Sequence, residues 1–149
     1  MSHRNFLLAL LALLATSCPV VAADWQTDYA KALETAKAKN KHVLLDFTGS
    51  DWCGPCIEFN NRALSRPEFL TYADKNLVLV EIDYPRRKKQ SAEVVKQNER
   101  LATEFGIGEK GYPTIVLLDS TGKVMAEFSG YSGEGPADLI GWIESKTRK

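Results

Sequence analysis

The stretch DWCGPC, residues 51 to 56, places two cysteines three positions apart with a glycine and a proline between them. It follows HVLLDFT (42–48), an apolar run of strand length that one acid interrupts, and Gly49-Ser50 supplies the turn. A helix is predicted to begin at about Cys53 and to run to about Ser65. Because unpaired N–H groups and the helix dipole favour an anion there, we expect a lowered pKa for the Cys53 thiol.

This arrangement suits thiol–disulfide exchange. A thiolate is the species that attacks a disulfide. Cys56, one helical turn after Cys53, faces the same side and can displace the mixed disulfide that forms. Pro55 fixes one backbone angle and helps to seat the first helical turn.

Two other uses of the cysteine pair stay open. Tetrahedral zinc needs four ligands, and past residue 23 the chain offers one histidine, His42, and no second cysteine pair. A two-coordinate soft ion such as Cu(I) is compatible with two thiols. A purely structural disulfide would close a very short loop and gain little stability. Redox exchange is the interpretation that we favour, with no metal and no cofactor.

Length and charge indicate one ordinary globular domain. The chain has 149 residues, of which 44% are hydrophobic, and Lys plus Arg equals Asp plus Glu at 19 each. This balance creates no global field that would attract nucleic acid, so we expect no nucleic-acid partner.

The N-terminus is typical of a secretory signal peptide. Residues 6–15 are ten apolar residues in a row, flanked by a basic start and by a small-residue cleavage signal that ends at residue 23. We therefore expect a signal peptide over 1–23, a domain over 24–149, and export, to the periplasm if the source is a Gram-negative bacterium. Cys18 in ATSC allows an alternative, a lipid anchor and a membrane-anchored lipoprotein.

The pattern of the rest of the chain predicts the order α-β-α-β-α-β-β-α. In this order the helical segments before and after Pro67 count as one helix. We therefore expect an α/β fold with a central mixed four-stranded sheet, helices on both faces and an N-terminal helix. The predicted helices are 24–39, 53–65, 67–75, 91–105 and one from Pro136, and the predicted strands are 42–48, 77–83, 114–119 and 123–129.

The sequence resembles the thioredoxin family. WCGPC (52–56) reproduces the active-site pentapeptide of thioredoxins, and LLDF (44–47) resembles the strand before it. FGI (105–107) and GYPT (111–114) resemble the segment that ends in the family's cis-proline. The resemblance covers nearly all of 25–146 and implies a thioredoxin fold and a protein-disulfide reductase.

The resemblance also implies roles for individual residues. Cys53 would be the attacking thiol and Cys56 the resolving thiol, and Asp46 would be the buried acid that accepts the proton of Cys56. Trp52 would shield the disulfide and form contact surface for substrate. The other substrate-binding positions would be Gly54, Pro55, Tyr112 and the cis-proline Pro113.

Three departures from the family pattern bear on these roles. Six residues separate Asp46 from Cys53, one more than in ordinary thioredoxins, so the turn before Trp52 is longer. Ile57 stands where thioredoxins have a lysine. Asn61 replaces a helix-kinking proline, so we expect this helix to run straight to the next proline.

We predict a reductase or disulfide-relay carrier, because Gly-Pro between the cysteines is typical of reducing members and the lysine is replaced. Its partners would be disulfide-containing exported proteins and an unidentified upstream thiol electron donor, and we expect a monomer. A peptide-binding module and a Cu(I) metallochaperone that use the same thiols remain alternatives. The basic run 86–89 is interpreted as a solvated loop that precedes a helix, with a docking patch as the alternative.

Overall fold

A mixed five-stranded sheet forms the centre of the molecule. The computed structural model describes residues 23–148. The sheet has the order β1-β3-β2-β4-β5. Its strands are β1 (Trp25–Gln26), β2 (His42–Thr48), β3 (Leu77–Asp83), β4 (Thr114–Leu118) and β5 (Val124–Ser129).

Helices cover both faces of the sheet, as predicted. They are α1 (Tyr29–Lys39), α2 (Gly54–Phe59), α3 (Pro67–Asn76), α4 (Ala92–Glu104), α5 (Ile107–Lys110) and α6 (Pro136–Thr147). None of the helices within residues 23–148 is long and apolar enough to cross a membrane.

The central strands are apolar along nearly their whole length because both of their faces are covered. β2 pairs in parallel with β3, from His42 opposite Leu77 to Thr48 opposite Asp83. β4 runs antiparallel to β2, and Thr114 at its start lies opposite Phe47. The beginning of β4 is thereby brought to the end of β2, from which the segment 49–53 emerges.

Two hydrophobic clusters form the core, one on each face of the sheet. Alternate side chains of β2 divide between them: Leu45 belongs to the cluster under α1 and α4, and Leu44 to the cluster under α2, α3 and α6. Each cluster is anchored by a fully buried aromatic side chain, Phe47 on the first face and Phe59 on the second.

The prediction of four strands was one too few. Trp25 was assigned to an N-terminal helix, but Trp25 and Gln26 form β1, which pairs in parallel with β3 at Leu79 and Val80. The helix begins at Tyr29 because the carboxylate of Asp28 accepts the Lys31 N–H at 3.0 Å and caps it.

The prediction of a straight helix after the cysteines was also wrong. α2 ends at Phe59 and continues as a π-helical turn over Asn60–Leu64. The Ser65 N–H reaches back to the Asn60 carbonyl at 2.9 Å, and the Ser65 hydroxyl donates to the same oxygen at 2.7 Å. The wider turn keeps Ala63 and Leu64 buried behind Phe59.

Candidate active site

Cys53 and Cys56 lie at the N-terminus of α2 and form a disulfide. Cys53 is the N-cap residue of α2, with Pro55 in the first turn. Its sulfur accepts the Cys56 N–H at 3.3 Å, and the two Cα atoms are 5.2 Å apart. The predicted placement of Cys53 at a helix N-terminus is confirmed, and one backbone N–H already points at the sulfur that would become a thiolate.

The cysteine pair lies just below the surface. Cys53 is 6% exposed and Cys56 3%, whereas Gly54 and Pro55 between them are exposed. Apart from its chain neighbours and the backbone of α2, no group of the described residues lies within 4 Å of the position that a Cβ on Gly54 would occupy. A polypeptide can therefore approach the disulfide over these two residues.

Trp52 is held in place from three sides. Its indole N–H donates to the Tyr84 carbonyl at 2.7 Å, and its ring meets the Tyr112 ring edge-on at 5.7 Å between centroids. The third neighbour is Gly49, where a Cβ would come within 2.5 Å of the indole. The ring centroids of Tyr84 and Tyr112 are also 5.4 Å apart. Trp52, Tyr84 and Tyr112 therefore form one aromatic cluster beside the disulfide.

The Tyr112–Pro113 peptide bond is cis, as the resemblance implied. Pro113 directly precedes β4, and its carbonyl accepts the Gly130 N–H at 2.8 Å. Tyr112 is partly buried beside Trp52. The structure thus brings Tyr112 and Pro113 to the same end of the sheet as the cysteines.

Asp46 lies inside the protein, in the middle of β2. Its side chain faces the same side as Leu44, two residues earlier, and this is the face that Phe59 of α2 covers. Asp46 is 6% exposed, and within residues 23–148 its Oδ1 has no hydrogen-bond partner. Burying an unsatisfied carboxyl group beneath the cysteine-bearing helix costs free energy, which makes Asp46 a candidate functional residue.

Burial, and after it the neighbouring carboxylates of Glu81 and Asp83, raise the pKa of Asp46 to about 8. Glu81 lies directly opposite Asp46 in the parallel register, and burial raises its pKa as well. At neutral pH the Asp46 carboxyl group is therefore largely protonated.

A second set of contacts, which the sequence did not reveal, fastens the segment before Trp52 to the loop after β3. The carboxylate of Asp51 accepts the backbone N–H groups of Arg86, Arg87 and Lys88 at 2.9, 2.8 and 3.1 Å. Beside it, the carboxylate of Asp83 accepts the N–H and the hydroxyl of Ser50 at 2.9 and 2.6 Å. These partners are 33 to 37 positions apart in sequence, so no local sequence pattern predicts their contacts.

The fold and the site define a thioredoxin-like protein. The family model described as thioredoxin-like matches residues 24–120, and the chain belongs to this family.

Two relatives carry the comparison further. A curated protein of Chlamydia pneumoniae named disulfide bond reductase DsbH is 37% identical over 128 residues, which are 85% of this chain and 75% of that protein. A solved structure titled DsbH oxidoreductase superimposes with a TM-score of 0.77 at 33% identity, over 99% of this chain and 96% of the other.

A third comparison supports the fold alone. The oxidised C-terminal domain of DsbD from Neisseria meningitidis superimposes with a TM-score of 0.57 at 24% identity, and the match covers 84% of this chain and 99% of that domain. Together with the Cys53–Cys56 disulfide, the relatives identify this chain as a thiol-disulfide oxidoreductase.

Proposed function

We propose that this protein reduces, or relays electrons to, disulfides of exported proteins through the dithiol of Cys53 and Cys56. The observation that carries the proposal is the position of Cys53 as N-cap of α2, with Cys56 N–H aimed at its sulfur and the cis-proline segment at the same end of the sheet. The similarity to a protein named disulfide bond reductase supports the reducing direction.

The exchange proceeds in two displacements. The Cys53 thiolate attacks one sulfur of the substrate disulfide, forms a mixed disulfide and releases the other substrate sulfur as a thiolate. The Cys56 thiolate then attacks the sulfur of Cys53 and releases the second substrate sulfur, leaving the Cys53–Cys56 disulfide. Two electrons pass to the substrate, whose thiolates take up protons. An upstream dithiol restores the reduced protein in the reverse sense.

Asp46 serves as the internal base for the second displacement. Cys56 is 3% exposed, so its proton cannot pass freely to water. The carboxyl group of Asp46 lies beneath the same helix, and its ionised fraction, about a tenth at pH 7 for a pKa of about 8, is the form that accepts the proton. Its unpartnered Oδ1 is an acceptor that no other described group occupies.

The surface around the disulfide receives the substrate polypeptide. Trp52 and Tyr112 supply partly exposed aromatic area on one side, and Gly54 and Pro55 leave the approach open. Pro113 itself is buried, so an extended peptide would lie against the partly exposed residue before it, Tyr112.

We infer that the protein acts as a reductant because few groups stabilise the Cys53 thiolate. A more stable thiolate makes a dithiol pair more oxidising. At the position next to Cys56, Ile57 is 40% exposed and contributes no positive charge. We therefore expect a reduction potential close to those of reducing thioredoxins, roughly −270 mV, and well below roughly −120 mV.

The signal-like segment over 1–23 supports export, to the periplasm in a Gram-negative cell, with a lipid anchor at Cys18 as the alternative. Cys18 and the rest of this segment up to residue 22 lie outside the described residues. The partners are then disulfide-containing exported proteins and a thiol electron donor. The domain has its own two-sided core and can fold without a partner chain, and we propose that it acts as a monomer.

Reduction of insulin by dithiothreitol tests the proposal. Wild type is expected to accelerate the reaction, and Cys56→Ser to lose most of the acceleration while forming a mixed disulfide through Cys53. A protein that only binds peptides, or that only carries Cu(I), would accelerate nothing in either form. Equilibration with glutathione buffers measures the potential, and a value near −120 mV would contradict the reducing direction.

A further inference from the structure

The basic segment Arg86–Lys89 lies beside the active-site tryptophan, and we propose that it binds acidic side chains next to the disulfide of the substrate. This inference rests on the proposed function and names the class of polypeptide that the same site prefers. It replaces the interpretation of 86–89 as a merely solvated loop.

The first argument is position. The guanidinium carbon of Arg86 lies 3.9 Å from the centroid of the Trp52 ring, so a positive charge is stacked on the residue that precedes the attacking cysteine. The Lys88 ammonium donates to the Ser50 hydroxyl at 3.2 Å, two residues before Trp52. The positively charged side chains therefore lie next to Trp52, at the border of the surface that we propose for the substrate.

The second argument is that the segment is held in place. Asp51 accepts three consecutive backbone N–H groups, those of Arg86, Arg87 and Lys88. These bonds lower the pKa of the Asp51 carboxyl group, with the Arg86 N–H as the largest cause, so the carboxylate stays charged and the bonds persist at neutral pH. A backbone that is already fixed loses less conformational entropy on binding a partner than a mobile loop does.

The third argument is that the positive charge is available. All four side chains of Arg86–Lys89 are exposed. Within residues 23–148, none of the four forms a salt bridge with a carboxylate side chain. Asp51 directs its oxygens at the backbone of the segment and feels the Arg87 charge without pairing with it, and Asp83 directs its oxygens at Ser50. An acidic side chain of a substrate would meet these cations with no competing ion pair to break.

Anionic lipid could also be attracted by four exposed cations. The geometry favours a polypeptide, because the charges adjoin the surface over Trp52 through which a substrate reaches Cys53. A bilayer on the same surface would cover the disulfide. A flanking acidic residue on a polypeptide would instead guide its cysteine toward the attacking sulfur.

Three model peptides test the inference. They share one disulfide loop and differ only in the residues that flank it, which are two Asp, two Gln or two Lys. Stopped-flow tryptophan fluorescence gives the second-order rate constant at which the reduced protein reduces each peptide. We expect the Asp peptide to be reduced about tenfold faster than the Lys peptide at about 0.02 M salt, and the ratio to approach one at about 0.5 M salt.

Paired charge variants locate the effect. The double variant Arg87→Gln/Lys89→Gln removes two charges and leaves the Trp52 and Ser50 contacts of Arg86 and Lys88 intact. It is expected to lower the Asp-to-Lys rate ratio at least threefold. The matched control Lys37→Gln/Lys39→Gln removes two exposed charges from the last turn of α1, which precedes the start of β2 at the opposite end of the sheet. It is expected to leave the ratio unchanged.

Each other outcome counts against the inference. Equal rates for all three peptides at low salt would overturn it and leave the proposed function standing. The same loss of discrimination in both double variants would assign the effect to net charge and overturn it as well. Binding to vesicles of phosphatidylglycerol and phosphatidylcholine that needs Arg87 and Lys89, without peptide discrimination, would assign the surface to lipid. Reduction of none of the peptides by wild type would overturn the proposed function, and the inference with it.

Discussion

Asp46 makes the stability of the protein depend on pH in an unusual direction. In the folded protein the carboxyl group keeps its proton up to a pKa of about 8, whereas in the unfolded chain it loses the proton near its ordinary pKa of about 4. Its contribution to stability is thus fully present below about pH 4 and is lost as pH rises through about 8. A buried carboxylate at alkaline pH is the state that the fold disfavours.

Replacing Asp46 with Asn is expected to remove this dependence. From pH 5 to pH 8, the free energy of unfolding of wild type should fall relative to that of Asp46→Asn, by on the order of a few kcal/mol. The variant should also carry out the second displacement at least about tenfold more slowly at pH 7, because it has no group that exchanges the proton. Urea unfolding across pH and single-turnover peptide reduction check the two effects. Parallel pH curves for both proteins would contradict the pKa assignment.

Gly49 is needed because of the indole above it. A methyl group at this position would lie 2.5 Å from Trp52 Cε2, so Gly49→Ala must displace the ring that contacts Tyr112. We expect a loss of about 1–3 kcal/mol in stability, a shifted tryptophan emission and slower peptide reduction. Chemical denaturation and fluorescence measure these effects.

Gly141→Ala is the matched control for Gly49→Ala. Gly141 lies in α6, and apart from its chain neighbours and the backbone of α6 itself, no atom of residues 23–148 lies within 4 Å of the added methyl group. Because alanine favours a helix over glycine, the control is expected to gain up to about 1 kcal/mol. Equal losses in both variants would show that contact with Trp52 is not the cause.

At the scale of elements, one carboxylate holds the loop after β3 against the segment before α2. In Asp51→Asn, an NH₂ group replaces one of the two oxygens that accept the N–H groups of Arg86, Arg87 and Lys88. We expect the amide hydrogens of these three residues to exchange several-fold faster, while those of β2 and β3 remain protected. Hydrogen exchange measured by NMR for individual backbone amides tests this prediction.

Asp119→Asn supplies the comparison for Asp51→Asn. Asp119 accepts the N–H groups of Thr121 and Lys123 in the turn between β4 and β5. Its replacement is expected to accelerate exchange in that turn and to leave residues 86–88 unchanged. Faster exchange at 86–88 in both variants would indicate general destabilisation instead of a local release.

The sequence predicts β2 and β3 at their observed bounds, because continuous apolar runs closed by turn residues leave little choice. The positions of Cys53 and of Pro113 followed from the family motif and are found at one end of the sheet. β1 was missed because two residues carry no periodicity, and Trp25 also fitted a helical spacing.

The other features that were not predicted depend on contacts distant in sequence or on fine backbone geometry. The π-helical turn over Asn60–Leu64 differs from an α-helix by one residue per hydrogen-bonded ring, and no residue type specifies that change. The docking of 86–88 on Asp51 joins positions about 35 apart, so the basic run resembled a solvated loop. Its place at the site became visible only with the fold.

At the scale of the whole molecule, a reductase is expected to be more stable with the Cys53–Cys56 disulfide formed than with both cysteines reduced. The fold then stabilises the disulfide by the same free energy by which the disulfide stabilises the fold. Closing a loop of about four residues contributes about 2 kcal/mol in the chain-entropy account, the low end of the usual range for disulfides, and a weakly stabilised thiolate offsets little of it. We therefore expect the oxidised protein to unfold at a higher denaturant concentration than the reduced protein. The difference corresponds to about 40 mV in the potential of the folded pair.

Unfolding in urea with and without excess dithiothreitol measures this difference. The double variant Cys53→Ser/Cys56→Ser should show no response to the reductant. A reduced wild-type protein that is the more stable form would contradict the reducing direction, because it would mean that the fold favours the dithiol.

The short first strand fixes where the N-terminal end of the described domain meets the sheet. β1 runs parallel to β3, and Ala23 lies with Lys41 and Leu77 in a shallow cavity where β2 and β3 begin. Cys53 follows the opposite end of β2. If the residues before Ala23 hold the protein on a bilayer, the disulfide therefore points away from the lipid, toward whatever diffuses through the surrounding compartment.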